Sequence, residues 1–163
     1  QVFGPRAIKN PKDYEARAEI MWAGTLAHNN LFGMGRIGDW GSHMIEHEIS
    51  AIYDVAHGAG LSVVFPAWMK YVYKSDIGRF AQFASRVFNV NIYFDDLEKA
   101  SIDGIKALED FYNQVGLPTK LGEIGIGSER FEEMALKCTE SGPVGQFVKL
   151  NYQDVLNIYK LAL

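Results

Sequence analysis

Cysteine is almost absent: Cys138 is the only one in 163 residues. A single thiol makes no disulfide framework and fits a reducing, cytoplasmic setting. Long hydrophobic runs are also missing. The longest, residues 61–69, falls far short of the roughly 20 residues needed to cross a bilayer, so no membrane partner is expected. The first residues, Gln-Val-Phe-Gly-Pro-Arg, lack the apolar region of a secretory signal. There is no basic run either. Sixteen Lys and Arg stand against twenty Asp and Glu, a formal net charge of -4, which sets nucleic acid aside as a partner. Sustained period-two alternation, the mark of half-buried strands, is not found.

What is present suits one helical domain over residues 1–163. Hydrophobic residues make up 48% of the chain and charged residues 22%, enough for a real core under a polar surface. The organising stretch runs from Asp39 to Gly58 and holds three of the four histidines, His43, His47 and His57. His43 and His47 are four apart and share a helix face. A helix, a turn and the start of a second helix would bring His57 back beside His43. Two imidazoles joined in this way are a common half of a transition-metal site.

The spacing predicts an all-α chain of about seven helices. Asn10-Pro11-Lys12-Asp13 reads as a helix start, capped by Asn10, with Pro11 in the first turn. That helix should reach about Leu31, carrying Tyr14, Ala18, Met21, Thr25 and His28 as one stripe. A second helix is expected over residues 40–53 and a third from His57 to about Tyr73, kinked or broken at Pro66. Ser75-Asp76 caps a fourth. After a connector over residues 89–93, Asp95 or Asp96 starts a fifth that runs to Val115, with Gly116 and Pro118 beyond it. Ser128 should cap a sixth helix ending near Glu140. The last follows Asn151.

Each chemical signal has a plainer alternative. Any one histidine is more often a satisfied core residue than a ligand, but three within fifteen positions weaken that reading. His43-Met44-Ile45-Glu46-His47 also matches the inverted zinc-protease pattern, in which both histidines bind zinc and Glu46 activates water. That reading needs a further ligand, for which Glu123, Glu129 and Glu132 are nominal candidates. Gly33-Met34-Gly35-Arg36-Ile37-Gly38 fits the dinucleotide fingerprint to the letter, but it lacks the strand that should precede it and reads as an interhelical loop. Cys138 reads as a partly buried core thiol. His28 lies on an apolar stripe, where a place in the core is the simpler expectation.

Several motifs in order carry a wider resemblance. They are Tyr14-Glu15-Ala16-Arg17-Ala18, Met21-Trp22-Ala23, Asp39-Trp40-Gly41-Ser42-His43 with Glu46-His47-Glu48, Tyr53-Asp54-Val55-Ala56-His57-Gly58, and Val64-Phe65-Pro66-Ala67-Trp68-Met69. Together they resemble the iron-containing alcohol dehydrogenases, and most of all the NAD(P)H-dependent butanol dehydrogenase branch. The likeness is densest over residues 10–72 and continues through Leu117-Pro118-Thr119. It implies the metal-binding C-terminal helical domain of the dehydroquinate synthase-like, iron alcohol dehydrogenase fold, without the N-terminal dinucleotide-binding domain.

The resemblance also implies roles. His43 and His57 match two of four metal ligands, and the other two, an Asp and a His, are expected upstream of Gln1. His47 matches a histidine beside the substrate and nicotinamide that is linked to proton transfer. His28 and Trp40 fall where the family lines its substrate pocket. The implied metal is Fe(II), with zinc as the alternative. NAD(P)H would be held mainly by the other domain, and the small-molecule partner is an alcohol or aldehyde. The chain alone is expected not to oxidise alcohols. Loss of a covering half should leave an apolar patch near the histidines, a route to self-association and so to a homo-oligomer.

Overall fold

The computed structural model describes residues 1–92 and 96–163. Tyr93, the end of the expected connector, and Asp95, one of two expected helix starts, lie outside the described residues. Among the described residues there are eight α-helices and three short 3-10 turns. Among the described residues the only β pairing is an isolated antiparallel bridge, Val144 to Leu150. The all-α expectation holds, with one helix more than the seven counted from the sequence. The chain forms two compact units, residues 1–38 and 39–163.

The first unit is a helix pair, α1 (Phe3–Lys9) and α2 (Tyr14–His28). The seven-residue α1 was not anticipated, because Gly4 and Pro5 obscure its period. It is tied to α2 by Arg6, whose guanidinium reaches Asp13 at 2.9 Å and Glu15 at 2.7 Å. The cap of α2 is Asp13 rather than Asn10. Asp13 accepts from Ala16 N at 3.1 Å, while the Asn10 side chain accepts from Lys12 N and closes a turn instead. The stripe predicted on α2 is not a core. Tyr14, Met21 and Trp22 are exposed, and Ala16 is the one buried residue of the helix. A groove of about 760 Å³ runs along this face between Pro11 and Thr25. His28, expected in the core, is exposed at the end of the helix.

The second unit is built around α4 (His57–Val72). Its Val63, Val64, Ala67, Met69 and Val72 are buried, and together with Ile45, Ile105, Leu121, Met134, Leu150 and Ile158 they form one core. Pro66 does not break α4. It is buried, and the helix continues for six more residues before a 3-10 turn at Tyr73–Ser75. Packing on both sides holds the turn that the missing N–H would loosen. The Ser62 hydroxyl lies 2.7 Å from the Pro118 carbonyl, tying α4 to the loop that holds Pro118.

α5 (Ile77–Phe88) is capped by Asp76 and α6 (Leu97–Gln114) by Asp96. They cross closely at Ala84 and Gly104, where a Cβ on the glycine would lie 2.7 Å from Ala84 Cα. α7 (Phe131–Cys138) begins two residues later than predicted, because Ser128 contributes its carbonyl to Phe131 N rather than a side-chain cap. α8 (Tyr152–Ala162) has the full capping box, with Asn151 and Asp154 each closing on the other's backbone.

Candidate metal centre

The histidines sit on α3 (Gly41–Tyr53) and on the first turn of α4. Asp39 sets where α3 begins. One carboxylate oxygen accepts from Gly41 N at 3.0 Å, and the other accepts from Gln146 N and Phe147 N, each at 2.7 Å. Trp40 then turns the chain in the left-handed region, at φ 60°. At the far end Asp54 is also left-handed, at φ 53°. Val55 and Ala56 complete a tight return into α4. From behind, the buried Tyr159 hydroxyl donates to the Ile45 carbonyl at 2.7 Å. Burial holds the pKa of this phenol far above its usual range.

These constraints bring the three imidazoles together. The ring centroids of His43 and His57 lie 5.5 Å apart, and those of His47 and His57 lie 5.3 Å apart. Two imidazoles on one ion, with metal–nitrogen bonds of about 2.0–2.1 Å, place their centroids about 5 Å apart. Both separations are close to that value, with His57 common to both. The resemblance gives His47 a place beside the substrate rather than among the ligands, and its ring is as near to His57 as the ring of His43 is. Glu46, His47 and His57 each offer a ligand atom within 4.8 Å of the others. Imidazole nitrogens suit Fe(II) or Zn(II).

Glu46 is the residue whose part the sequence concealed. It is fully buried. One oxygen meets His57 Nδ1 and the other accepts from the Ser50 hydroxyl at 2.5 Å. Ser50 also lies 3.0 Å from the Val55 carbonyl in the turn that leads to His57. Room for the carboxylate comes from Gly60, where a Cβ would stand 2.8 Å from both Cγ and Cδ of Glu46. The zinc-protease reading needs Glu46 to face water, and here it is closed off. Serine four after Glu46 and glycine three after His57 were the available signal: small residues at helical spacing around one acid.

The other predicted residues fall as follows. The Trp40 ring meets His43 edge-on at 5.0 Å between centroids and is exposed. His28 closes α2 in the first unit. Beside His47 a polar cavity of about 190 Å³ is lined by Met44, Glu48, Lys137, Cys138 and Glu140. Burial, with Glu48 nearby, pushes the Cys138 thiol up to about 12. It is an inert core thiol, as expected. The glycine-rich stretch Gly33–Gly38 follows a helix and a 3-10 turn rather than a strand, in line with the loop reading.

Comparison with known proteins decides the family. Residues 4–163 match the model of the Fe-containing alcohol dehydrogenase family, C-terminal. The chain belongs to this family. It is 38% identical over 159 residues to a probable NADH-dependent butanol dehydrogenase 1 of Bacillus subtilis, covering 98% of this chain and 41% of that protein. It is also 38% identical over 161 residues to NADH-dependent butanol dehydrogenase A of Clostridium acetobutylicum, covering 97% and 41%. The crystal structure of an NADH-dependent butanol dehydrogenase A from Thermotoga maritima superposes with a TM-score of 0.87 at 39% identity, over 96% of this chain and 41% of that one. The chain thus spans about two fifths of the length of these relatives. Among the described residues no helix is long and apolar enough to cross a membrane.

Proposed function

We propose that this chain is the metal- and substrate-carrying helical part of an NAD(P)H-dependent alcohol dehydrogenase that interconverts primary alcohols such as butanol with their aldehydes. The observation that carries this reading is the convergence of His43, His47 and His57 on one surface of the α3–α4 pair, in a chain that matches dehydrogenases throughout. His43 and His57 would hold the metal, Fe(II) or Zn(II). Two further ligands, an Asp and a His, would come from the part of such enzymes that lies outside this chain, as would most of the NAD(P)H site.

When bound, the ion supplies a Lewis acid that favours the alkoxide and polarises the aldehyde carbonyl. The remaining work belongs to the chain. His47, exposed on α3 one turn after His43, takes up or returns the hydroxyl proton at a ring nitrogen. Its cavity toward Glu48, Lys137 and Glu140 gives that proton a polar way out. Trp40 walls the position beside His43. The substrate is a small alcohol or aldehyde, and the setting is the cytoplasm.

The test is reconstitution. The chain alone, given butanol and either nicotinamide cofactor, should show no turnover. Joined to the N-terminal part of the Bacillus subtilis relative and loaded with iron, it should oxidise butanol, and His57→Ala should abolish that activity. Turnover by the chain unaided, or full activity of the joined His57→Ala protein, would overturn the reading.

A further inference from the structure

Glu46 is a fully buried acid within reach of two titratable rings, and the mechanism above does not use it. Such a group is costly unless both oxygens are satisfied. They are: His57 Nδ1 meets one and the Ser50 hydroxyl the other. A carboxylate accepts hydrogen bonds and donates none. The contact therefore places the proton of neutral His57 on Nδ1 and leaves the lone pair on Nε2. Metal-bound histidines are commonly held by a carboxylate on their other ring nitrogen, which fixes the tautomer and makes the ligand more basic.

The surroundings are arranged for this contact rather than for the charge alone. Gly60 leaves out the one side chain that would fill the carboxylate's place. Ser50 donates to the carboxylate, and its oxygen lies 3.0 Å from the Val55 carbonyl, two residues before His57, which sets the acid beside the turn that delivers the ring. All four residues come from the α3–α4 pair. The ring is therefore oriented within this chain, whatever else completes the site.

We infer that Glu46 is a positioning residue, which fixes His57 as the Nδ1–H tautomer and so presents Nε2 as its ligand atom. The metal role of Nε2 rests on the reading of His57 as a ligand, whereas the tautomer does not. The experiment uses the 163-residue chain labelled with ¹⁵N histidine, in mildly alkaline buffer, first without metal and then titrated with zinc(II). Two-bond ¹H–¹⁵N spectra assign the proton on each ring, and calorimetry gives the zinc affinity.

Wild-type His57 should carry its proton on Nδ1, and zinc should shift Nε2. Glu46→Gln should lose the tautomer preference and weaken zinc binding by about 10–100-fold, the usual cost of removing such a partner. Gly60→Ala, which pushes the carboxylate aside, should do the same, while Gly58→Ala, with no atom within 4 Å of the new methyl, should change neither. If Gly60→Ala fails to fold, Ser50→Ala replaces it with the same expectation. A proton on Nε2 in the wild type, an unchanged tautomer in Glu46→Gln, or zinc on Nδ1 would overturn the inference. An Nδ1–H tautomer that depends on Glu46, in a chain where zinc shifts no histidine, would support the positioning contact and overturn the metal reading beneath it.

Discussion

The Tyr159 hydroxyl donates to the Ile45 carbonyl at 2.7 Å inside the core, tying the last helix to the middle of the histidine helix across 114 positions of sequence. Tyr159→Phe keeps the ring beside that of Phe131, tilted at 33° to it, and removes only this bond. The Ile45 carbonyl keeps its place in the helix ladder, so the loss is modest. Urea denaturation should show a destabilisation of about 0.5–1.5 kcal/mol, the net worth of one such bond, with an unchanged slope against urea.

Asp39 bears on stability more heavily. Its carboxylate accepts three backbone N–H groups, one at the start of α3 and two in the 145–147 loop. Asp39→Ala leaves all three without their acceptor. The expected cost is about 1–3 kcal/mol, read as a lower urea midpoint. The α3 start should also loosen, seen as faster amide exchange at Gly41 and Phe147. Unchanged exchange at Phe147 would show that the loop is held by something else.

Alkaline pH should destabilise the fold. Burial holds the Cys138 thiol up at about 12, whereas an unfolded thiol titrates near ~8.5. The folded pKa is the raised one. The stabilisation is therefore complete below about pH 8.5 and is lost as pH rises toward about 12, because the unfolded chain sheds the proton first. Tyr159, also raised, acts in the same direction at higher pH. The melting temperature should fall above about pH 8.5, and Cys138→Ala should make the first part of that fall shallower. An identical slope in the variant would contradict this assignment.

The sequence revealed most where local rules act alone. The start of α5 is legible from Ser75-Asp76, that of α6 from Asp95 or Asp96, and that of α4 from His57, because caps and period are local. The return of His57 toward His43 was legible from their spacing across one helix and a turn. Pro66 does not end α4, since neighbouring helices hold a turn that an isolated helix would lose. The α2 stripe misled. Its period is genuine, but Tyr14, Met21 and Trp22 stay exposed, and periodicity cannot say whether a partner surface is present. Glu46 was visible only as a member of a protease pattern. Its true neighbours, His57 and Gly60, lie across a turn, and no spacing rule within α3 reports them.

The central claim is that His43 and His57 form the half of a metal site that this chain carries, with His47 beside them. The most direct test is a zinc(II) titration of the 163-residue chain, followed through the ring ¹⁵N signals of its four histidines. His43 and His57 should shift together along one binding curve, His28 should stay fixed, and His57→Ala should weaken the response of His43 as well. A joint response of His43 and His47 that survives His57→Ala would contradict the account and restore the protease arrangement.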